Sequence, residues 1–253
     1  ARSINEMKSK FLKWISRIYN LFVRKKVFGA HGPSDLKEFN EIEKRMAKRT
    51  NISDHLLTLF VESFGIKPRL IVELGVGAGG SNFVLERVAA LCGSKFLSVD
   101  IKDYSGTSSY EGWTFVQKDD IEFAKEFENW CKSQGTKPEI DILFIDTSHL
   151  FDHTVQEIKS WFGFLSQISK VVFHDTNLRD IYFRRDGSMG IGWDNDRGVI
   201  RAVEEYFHTS FNETKDFVDF RNGWIIRHYS LCNGLTILEK CSEKIPSLSH
   251  SKK

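Results

Sequence analysis

From Arg69 onward, five short apolar segments alternate with stretches whose apolar residues recur at helical spacing. Repeated strand–helix units build parallel sheets, because right-handed crossovers place the helices on both faces of the sheet. The sequence therefore predicts an α/β fold with a Rossmann-like, doubly wound and mostly parallel sheet. The predicted strands are residues 70–74, 95–99, 113–117, 140–145 and 170–173.

The C-terminal part of the chain lacks this alternation. Residues 216–220 and 235–239 are strand-like and have no helical pattern between them. We therefore expect them to pair as an antiparallel hairpin that closes the sheet, an arrangement unlike that of most nicotinamide-dependent dehydrogenases. The predicted units are a helical extension over residues 1–68, a main domain over 69–241 and a flexible tail over 242–253.

The N-terminal extension begins with an apolar stripe on a basic background, over residues 7–26. This pattern indicates either a membrane-surface helix, or a helix that caps the pocket or packs on a second subunit of a homo-oligomer. We favour the second interpretation, because basic amphipathic helices are common in soluble folds. Three further elements are predicted: a loop at 30–33, a polar helix from a capping box at Asp35 and Glu38 to about Arg49, and a helix over 54–64.

Composition and charge exclude several classes of protein. The 253 residues carry a net charge of only +2, which gives no electrostatic basis for binding nucleic acid. No apolar run is long enough to span a bilayer, and no signal-peptide pattern is present. The cysteines show no metal-type spacing, so we expect a reducing, cytoplasmic compartment. They are Cys92, Cys131, Cys232 and Cys241.

A glycine-rich loop follows the first predicted strand. Gly75, Gly77 and Gly80 satisfy G-x-G-x-x-G, so the backbone can approach a ligand closely and the next helix offers free N–H groups. Asp100 stands 20 residues after Gly80, where an acid accepts hydrogen bonds from ribose hydroxyls. Asp119 follows the third strand and either meets an adenine amino group or caps the next helix. These features suit a dinucleotide and S-adenosylmethionine alike.

Glu73 favours S-adenosylmethionine over a dinucleotide. It lies two residues before the first glycine in an otherwise apolar strand, so we expect its charge to face a ligand or loop amides. The stretch 72–79, V-E-L-G-V-G-A-G, resembles the first motif of class I methyltransferases. The resemblance implies that Glu73 orients the methionine moiety and that Gly75, Gly77 and Gly79 contact the cofactor.

Later motifs are similar to a narrower group, the methyltransferases classed with the cephalosporin hydroxylases and rhamnosyl O-methyltransferases. This similarity covers residues 70–240 and implies methylation of a hydroxyl on a saccharide or secondary metabolite. The motifs are the D-x-x-H of Asp146 and His149, then Glu157 and Trp161, then the pair His174-Asp175, and finally residues 198–203 and 233–236.

Asp146 and Asp175 each end a parallel strand, so we expect both at the same carboxyl edge of the sheet. Two carboxylates there can hold Mg²⁺ or another divalent metal, with Asn177 as a further oxygen ligand, and the resemblance implies this metal role. His174 stands where metal-dependent relatives often carry an acid. That departure counts against Mg²⁺, because histidine suits a transition metal better.

His149 is the candidate catalytic base. A histidine with its ordinary pKa near 6.5 can take the proton of an acceptor hydroxyl during methyl transfer. The alternative is that His149 only orients Asp146 or caps the next helix. The loop over residues 177–196, with its arginines and Trp193, is predicted to be an acceptor-binding lid; its alternative is a solvated surface loop.

Two other functions compete with the methyltransferase interpretation. An NAD(P)-dependent oxidoreductase is disfavoured by the closing hairpin and by the lack of a Tyr-x-x-x-Lys pair after a strand. A non-catalytic binding module, or a membrane-associated scaffold built around the N-terminal helix, is disfavoured because carboxylates gathered at one place repel each other unless a ligand or metal uses them. The sequence therefore predicts an enzyme that acts on a small-molecule acceptor.

Overall fold

The computed structural model describes residues 2–23 and 34–241. The predictions for residues 24–33 and for the tail 242–253 lie outside these described residues. The strands are β1 (Leu70–Leu74), β2 (Lys95–Asp100), β3 (Trp113–Gln117), β4 (Ile140–Ile145), β5 (Leu165–His174), β6 (Ile181–Phe183), β7 (Met189–Ile191), β8 (Phe217–Arg221), β9 (Trp224–Tyr229) and β10 (Leu235–Lys240).

Helices cover both faces of the central sheet. The described helices are α1 (Arg2–Phe22), α2 (Lys37–Met46), α3 (Leu56–Phe64), α4 (Gly80–Cys92), α5 (Asp120–Ala124), α6 (Phe127–Ser133), α7 (Phe151–Trp161) and α8 (Gly198–Phe207). None of the helices in this part of the chain has the length and hydropathy to cross a membrane. All four cysteines are free.

The central sheet has eight strands in the order β3-β2-β1-β4-β5-β10-β9-β8. Neighbours from β3 to β5 run parallel, whereas β10, β9 and β8 are each antiparallel to the strand before them in this order. The predicted fold class is confirmed: a mostly parallel, Rossmann-like sheet with antiparallel strands at its C-terminal end.

The predicted pairing of segments 216–220 and 235–239 is wrong, because β9 lies between them. β9 pairs with β8 on one side and with β10 on the other. Asn222 and Gly223 form the turn between β8 and β9, both with positive φ, at 49° and 80°. Asn-Gly is the strongest short signal for a two-residue hairpin. The sequence therefore indicates the turn. The strand that follows it is harder to recognise, because Arg227 and His228 interrupt its apolar pattern.

The alternation of side chains along β1 divides the core into two layers. Leu70, Val72 and Leu74 face the layer that includes α7 and α8, whereas Ile71 faces the layer that includes α2, α3 and α4. A strand places successive side chains on opposite faces, so Glu73 lies on the same face as Ile71, towards α4. Residues 34–68 pack into this second layer through α2 and α3.

The capping box predicted at Asp35 and Glu38 is wrong. Helix α2 begins at Lys37 after Leu36, and no side chain caps it. Ser34 Oγ instead accepts a hydrogen bond from the Leu36 N–H at 3.1 Å.

The predicted loop over 177–196 also contains structure, because β6 and β7 form an antiparallel hairpin within it. Helix α1 packs against β7 of this hairpin.

Candidate active site

A cavity of about 500 Å³ lies at the carboxyl edge of the parallel strands. Its walls come from the glycine-rich loop after β1, from the ends of β2, β3, β4 and β5, and from residues 45–56 of the N-terminal segment. The volume lies within the usual range for small-molecule sites, and ligands of open α/β sheets bind at this edge. Four strand-end acids line it together: Asp100, Asp119, Asp146 and Asp175.

The glycine loop needs its glycines for two different reasons. Gly75, Gly77 and Gly79 have φ of +83°, +50° and +70°, a left-handed region that other residues rarely adopt. At Gly75 space is also missing, because a Cβ would lie 2.1 Å from the backbone oxygen of Asp146. Gly79 then caps α4, which leaves the first N–H groups of that helix directed towards the cavity edge.

Asp100 fastens the loop and also lines the cavity. Its Oδ2 accepts a hydrogen bond from the Val76 N–H at 2.8 Å, and its Oδ1 accepts from the Lys102 N–H at 2.9 Å. Each carboxylate oxygen can accept a further bond, so the contacts leave capacity for a ligand hydroxyl. Asp119 caps α5 by accepting a hydrogen bond from the Glu122 N–H at 3.0 Å. Asp119 also lines the cavity.

Glu73 lies beneath the glycine loop and not on the cavity wall. It is fully buried, and its carboxylate accepts hydrogen bonds from Ser81 Oγ at 2.7 Å, Asn82 Nδ2 at 2.9 Å and Ser98 Oγ at 2.7 Å. Burial raises the pKa of Glu73 to about 7, and the three hydrogen bonds oppose that rise only in part. The acid therefore ties the start of α4 to β1 and β2.

The raised pKa of Glu73 predicts a pH-dependent stability. A buried acid whose pKa rises from 4.5 to about 7 costs the folded state stability as pH increases through that window. We expect Glu73→Gln to remove this loss. Between pH 4.5 and pH 8, the free energy of unfolding of the variant should therefore rise relative to that of the wild type by up to about 3 kcal/mol. Denaturant titrations at several pH values measure the difference. Glu111→Gln changes an exposed residue, so its free energy of unfolding should depend on pH in the same way as that of the wild type. The same pH dependence in Glu73→Gln as in the wild type would contradict the prediction.

Two acids and two histidines meet where β4 and β5 end. His149 Nε2 lies 2.9 Å from Asp146 Oδ1 and 2.9 Å from Asp175 Oδ2. His174 is fully buried below them, with its Nδ1 3.2 Å from Asp146 Oδ1 and 3.2 Å from Asp175 Oδ1. The structure thus brings together Asp146, His149 and Asp175, as the sequence predicts, and adds His174 as the group that holds both acids in place.

The electrostatics of this cluster differ from the expectation for His149. Burial alone would lower its pKa, but the hydrogen bonds and charges of Asp146 and Asp175 outweigh burial and raise the pKa to about 10. The same two acids raise the pKa of His174 to about 9 against its burial. The ordinary histidine pKa assumed from the sequence therefore does not hold in this arrangement, in which the imidazolium groups of His149 and His174 together balance two carboxylates.

Two members of the cluster have unusual backbone geometry. His149 and Asp175 adopt left-handed conformations, with φ of +60° and +56°. Such conformations cost of order 1–3 kcal/mol for residues other than glycine and are concentrated at functional sites. With these conformations the two side chains meet, and His149 Nε2 lies 2.9 Å from Asp175 Oδ2.

Asn177 is not brought to the acid pair. Its Oδ1 accepts a hydrogen bond from Arg179 Nε at 3.1 Å, and its Nδ2 donates to the Ser230 carbonyl at 2.9 Å. One of the predicted lid arginines is engaged on the N-terminal segment: Arg184 Nε donates to the Thr50 carbonyl at 2.8 Å. Trp193 does lie beside the site, with its ring 6.0 Å from that of His149.

Sequence reasoning missed several cavity residues. Arg45 and Lys48, at the end of α2, line the cavity although their segment carries no recognisable motif. Asp120 also lines it, and its Oδ1 lies 3.1 Å from Nε2 of His153, another residue of the cavity wall. A signal for Asp120 was available, since it directly follows Asp119 at the end of β3; Arg45 and Lys48 offered none.

The comparisons with known proteins agree with this fold. Residues 72–176 match the family model described as a methyltransferase domain. That range includes the glycine loop and all four strand-end acids. The resemblance to class I methyltransferases is confirmed over this range. A search of curated proteins finds no similar sequence.

Several solved structures share the fold. MycE, a methyltransferase of the mycinamycin biosynthetic pathway in complex with Mg, SAH and mycinamycin VI, matches with 17% identity and a TM-score of 0.50. The match covers 88% of this chain but only 58% of MycE, so the chain spans little more than half of that protein. The O-methyltransferase TomG from Streptomyces achromogenes, in complex with SAM, matches with 12% identity, a TM-score of 0.52 and coverage of 85% and 94%.

A fungal methyltransferase completes the comparison. PaMTH1 from Podospora anserina, bound to SAH, matches with 12% identity and a TM-score of 0.52, over 83% of this chain and 90% of its own. Identities this low establish the fold alone. The fold is that of S-adenosylmethionine-dependent methyltransferases.

Proposed function

We propose that this chain binds S-adenosylmethionine and transfers its methyl group to a hydroxyl of a small acceptor, a saccharide or secondary metabolite. The observation that carries the proposal is the cavity in which acids from four strands meet beside one glycine-rich loop. One neighbour in fold, the O-methyltransferase TomG, supports the oxygen acceptor, and another, MycE, solved with Mg, SAH and mycinamycin VI, supports a small-molecule acceptor.

The cofactor would lie along the glycine loop. Gly75, Gly77 and Gly79 let the backbone approach the methionine part, and Asp100 would accept hydrogen bonds from the ribose hydroxyls. Asp119 would meet the adenine amino group while it caps α5. Glu73 lies behind the loop, so its role is to position the loop through Ser81 and Asn82.

A divalent cation fits the pair Asp146 and Asp175. Ligand atoms of these two acids lie within 4.8 Å of each other, and Asp175 Oδ1 is buried without a well-directed hydrogen bond in the described chain. Such an ion would lower the pKa of an acceptor hydroxyl and neutralise the carboxylates that keep His149 protonated. His174, which lies beneath both acids, would hold them in position.

His149 would then take the proton of the acceptor hydroxyl. The sulfonium of the cofactor is already activated, so the protein has to align the acceptor and remove its proton as the new carbon–oxygen bond forms. His149 lies at the cavity wall, and Trp193 beside it offers a flat surface on which a sugar or aromatic ring can stack.

Calorimetry tests the cofactor assignment. We expect S-adenosylmethionine to bind and NAD to give no heat. Asp100→Asn should weaken S-adenosylmethionine binding by about 10- to 100-fold, because hydrogen bonds to a charged carboxylate are lost. Asp103→Asn, in the exposed loop three residues further on, is the matched control and should bind like the wild type. Tighter binding of NAD would favour the alternative, an NAD(P)-dependent oxidoreductase.

The acceptor and the cation need a second experiment. Candidate glycans and metabolites are incubated with the protein and S-adenosylmethionine, and mass spectrometry detects an added methyl group. Repeating the reaction with a chelator, and then with Mg²⁺ or Mn²⁺ restored, measures the cation requirement. Methylation at nitrogen, or full activity in the chelator, would refute the corresponding part of the proposal.

A further inference from the structure

Helix α1 is attached to the rest of the chain by its polar side. Ser16 is buried, and its Oγ donates to the Met189 carbonyl at 3.0 Å. The side chain of Asn20 pairs with the same backbone: Nδ2 donates to the Met189 carbonyl at 2.9 Å, and Oδ1 accepts from the Met189 N–H at 2.8 Å. Lys8 adds an ion pair with Asp180 at 2.6 Å.

The apolar side of α1 faces away from the protein. At roughly 100° per residue, Phe11, Ile18 and Phe22 lie opposite Ser16 and Asn20. Phe11, Trp14 and Phe22 are exposed by 60%, 59% and 83%. A helix on a globular protein normally buries its apolar face and exposes its polar face, so this helix is docked the other way round. The exposed row consists of Met7, Phe11, Trp14, Ile18, Leu21 and Phe22.

Basic side chains border this apolar row. Lys10, Lys13 and Arg17 are exposed, and Glu6 is the acid among the α1 side chains that the structure describes. An apolar stripe with aromatic residues, flanked by Lys and Arg, has the composition of helices that lie in the headgroup region of a bilayer. Membrane contact would cover the apolar row and place the cations against anionic lipid.

We propose that α1 binds the surface of an anionic phospholipid membrane and holds the methyltransferase domain against it. A second copy of the chain is the competing occupant of the apolar row, and charge argues against it. Two copies of α1 packed together would bring Lys10, Lys13 and Arg17 of each into the neighbourhood of the other, and like charges beside an apolar seam destabilise helix pairs. The proposal thus adopts the membrane-surface helix, the other interpretation open from the sequence, over a helix that caps the pocket or packs on another subunit.

Vesicle co-sedimentation of the full chain tests the proposal. We expect binding to vesicles of phosphatidylglycerol and phosphatidylcholine, much weaker binding to phosphatidylcholine alone, and loss of binding at high salt. Phe11→Ala combined with Trp14→Ala should weaken binding at least about 100-fold, because two large apolar side chains no longer insert. Lys10→Gln combined with Lys13→Gln should weaken it about 30-fold, from roughly 1 kcal/mol for each lysine.

The matched control is Val218→Ala combined with Phe220→Ala. These two side chains are exposed by 73% and 62% on the edge strand β8, so the pair removes similar apolar surface elsewhere. Vesicle binding should stay within about twofold of the wild type. Equal binding to both vesicle types, or no binding to either, would overturn the proposal. Self-association in sedimentation equilibrium that the Phe11 and Trp14 changes abolish, without vesicle binding, would assign the face to a second copy.

Discussion

His149→Ala is expected to lower kcat for methyl transfer by about 10²- to 10⁴-fold while leaving the dissociation constant of S-adenosylmethionine within a few-fold. His149 is the cavity-wall histidine that contacts both strand-end acids, and the glycine loop that would hold the cofactor contacts Asp100 and not His149. The change therefore removes the group proposed to take the acceptor proton. Quenched-flow or steady-state measurement of the methylated product reads kcat, and calorimetry reads cofactor binding.

The chain offers a matched control for this variant. His208 is an exposed histidine that ends α8 with φ of +51°, close to the +60° of His149. His208→Ala thus places an alanine in a similar backbone conformation at a site outside the cavity, and its kcat should stay within about twofold of the wild type, as for surface substitutions generally. Unchanged turnover in His149→Ala would remove His149 as the base. An equal loss in both variants would point to altered folding.

Gly75→Ala is expected to cost more than about 3 kcal/mol of folding free energy and to abolish cofactor binding in whatever protein still folds. The alanine Cβ would lie 2.1 Å from the backbone oxygen of Asp146, and this backbone cannot move aside without disturbing β4. The positive φ of +83° adds the strain of a left-handed residue to that overlap. Thermal and denaturant unfolding measure the stability.

Gly93→Ala is the control that separates the cost of a left-handed backbone conformation from the cost of the steric overlap with Asp146. Gly93 ends α4 with φ of +67°, and a Cβ there would meet nothing within 4 Å. It should therefore cost only the left-handed strain, about 1–2 kcal/mol. A loss in Gly75→Ala no larger than that in Gly93→Ala would show that the loop can shift away from Asp146, contrary to the rigid contact described above.

The sequence predicts the parallel half of the sheet well, for a physical reason. Strands buried on both faces are continuous apolar runs, and the glycine or acid that follows each run marks its end. This is why β1 and β4 have the predicted bounds. Because parallel strands share one carboxyl edge, the meeting of Asp100, Asp146 and Asp175 could also be expected before any coordinates existed.

The remaining features depend on tertiary structure that no local pattern encodes. The position of His149 between Asp146 and Asp175 depends on left-handed backbone conformations at His149 and Asp175. The raised pKa of His149 depends on the same two conformations, because both acids contribute to it. The entry of Arg45 and Lys48 into the cavity depends on how α2 packs against α4. The orientation of α1 is a similar case: its apolar stripe was visible, but only the buried Ser16 shows which side faces the protein.

Asp146 serves the two halves of the site at once. Its backbone oxygen limits the space at Gly75, its N–H donates to the Leu74 carbonyl at 2.9 Å, and its carboxylate binds both histidines. A displacement of this single residue would therefore shift the glycine loop and His149 together. In the proposed reaction, the distance between methyl donor and acceptor would accordingly be fixed by one amino acid rather than by the relative placement of two independent loops.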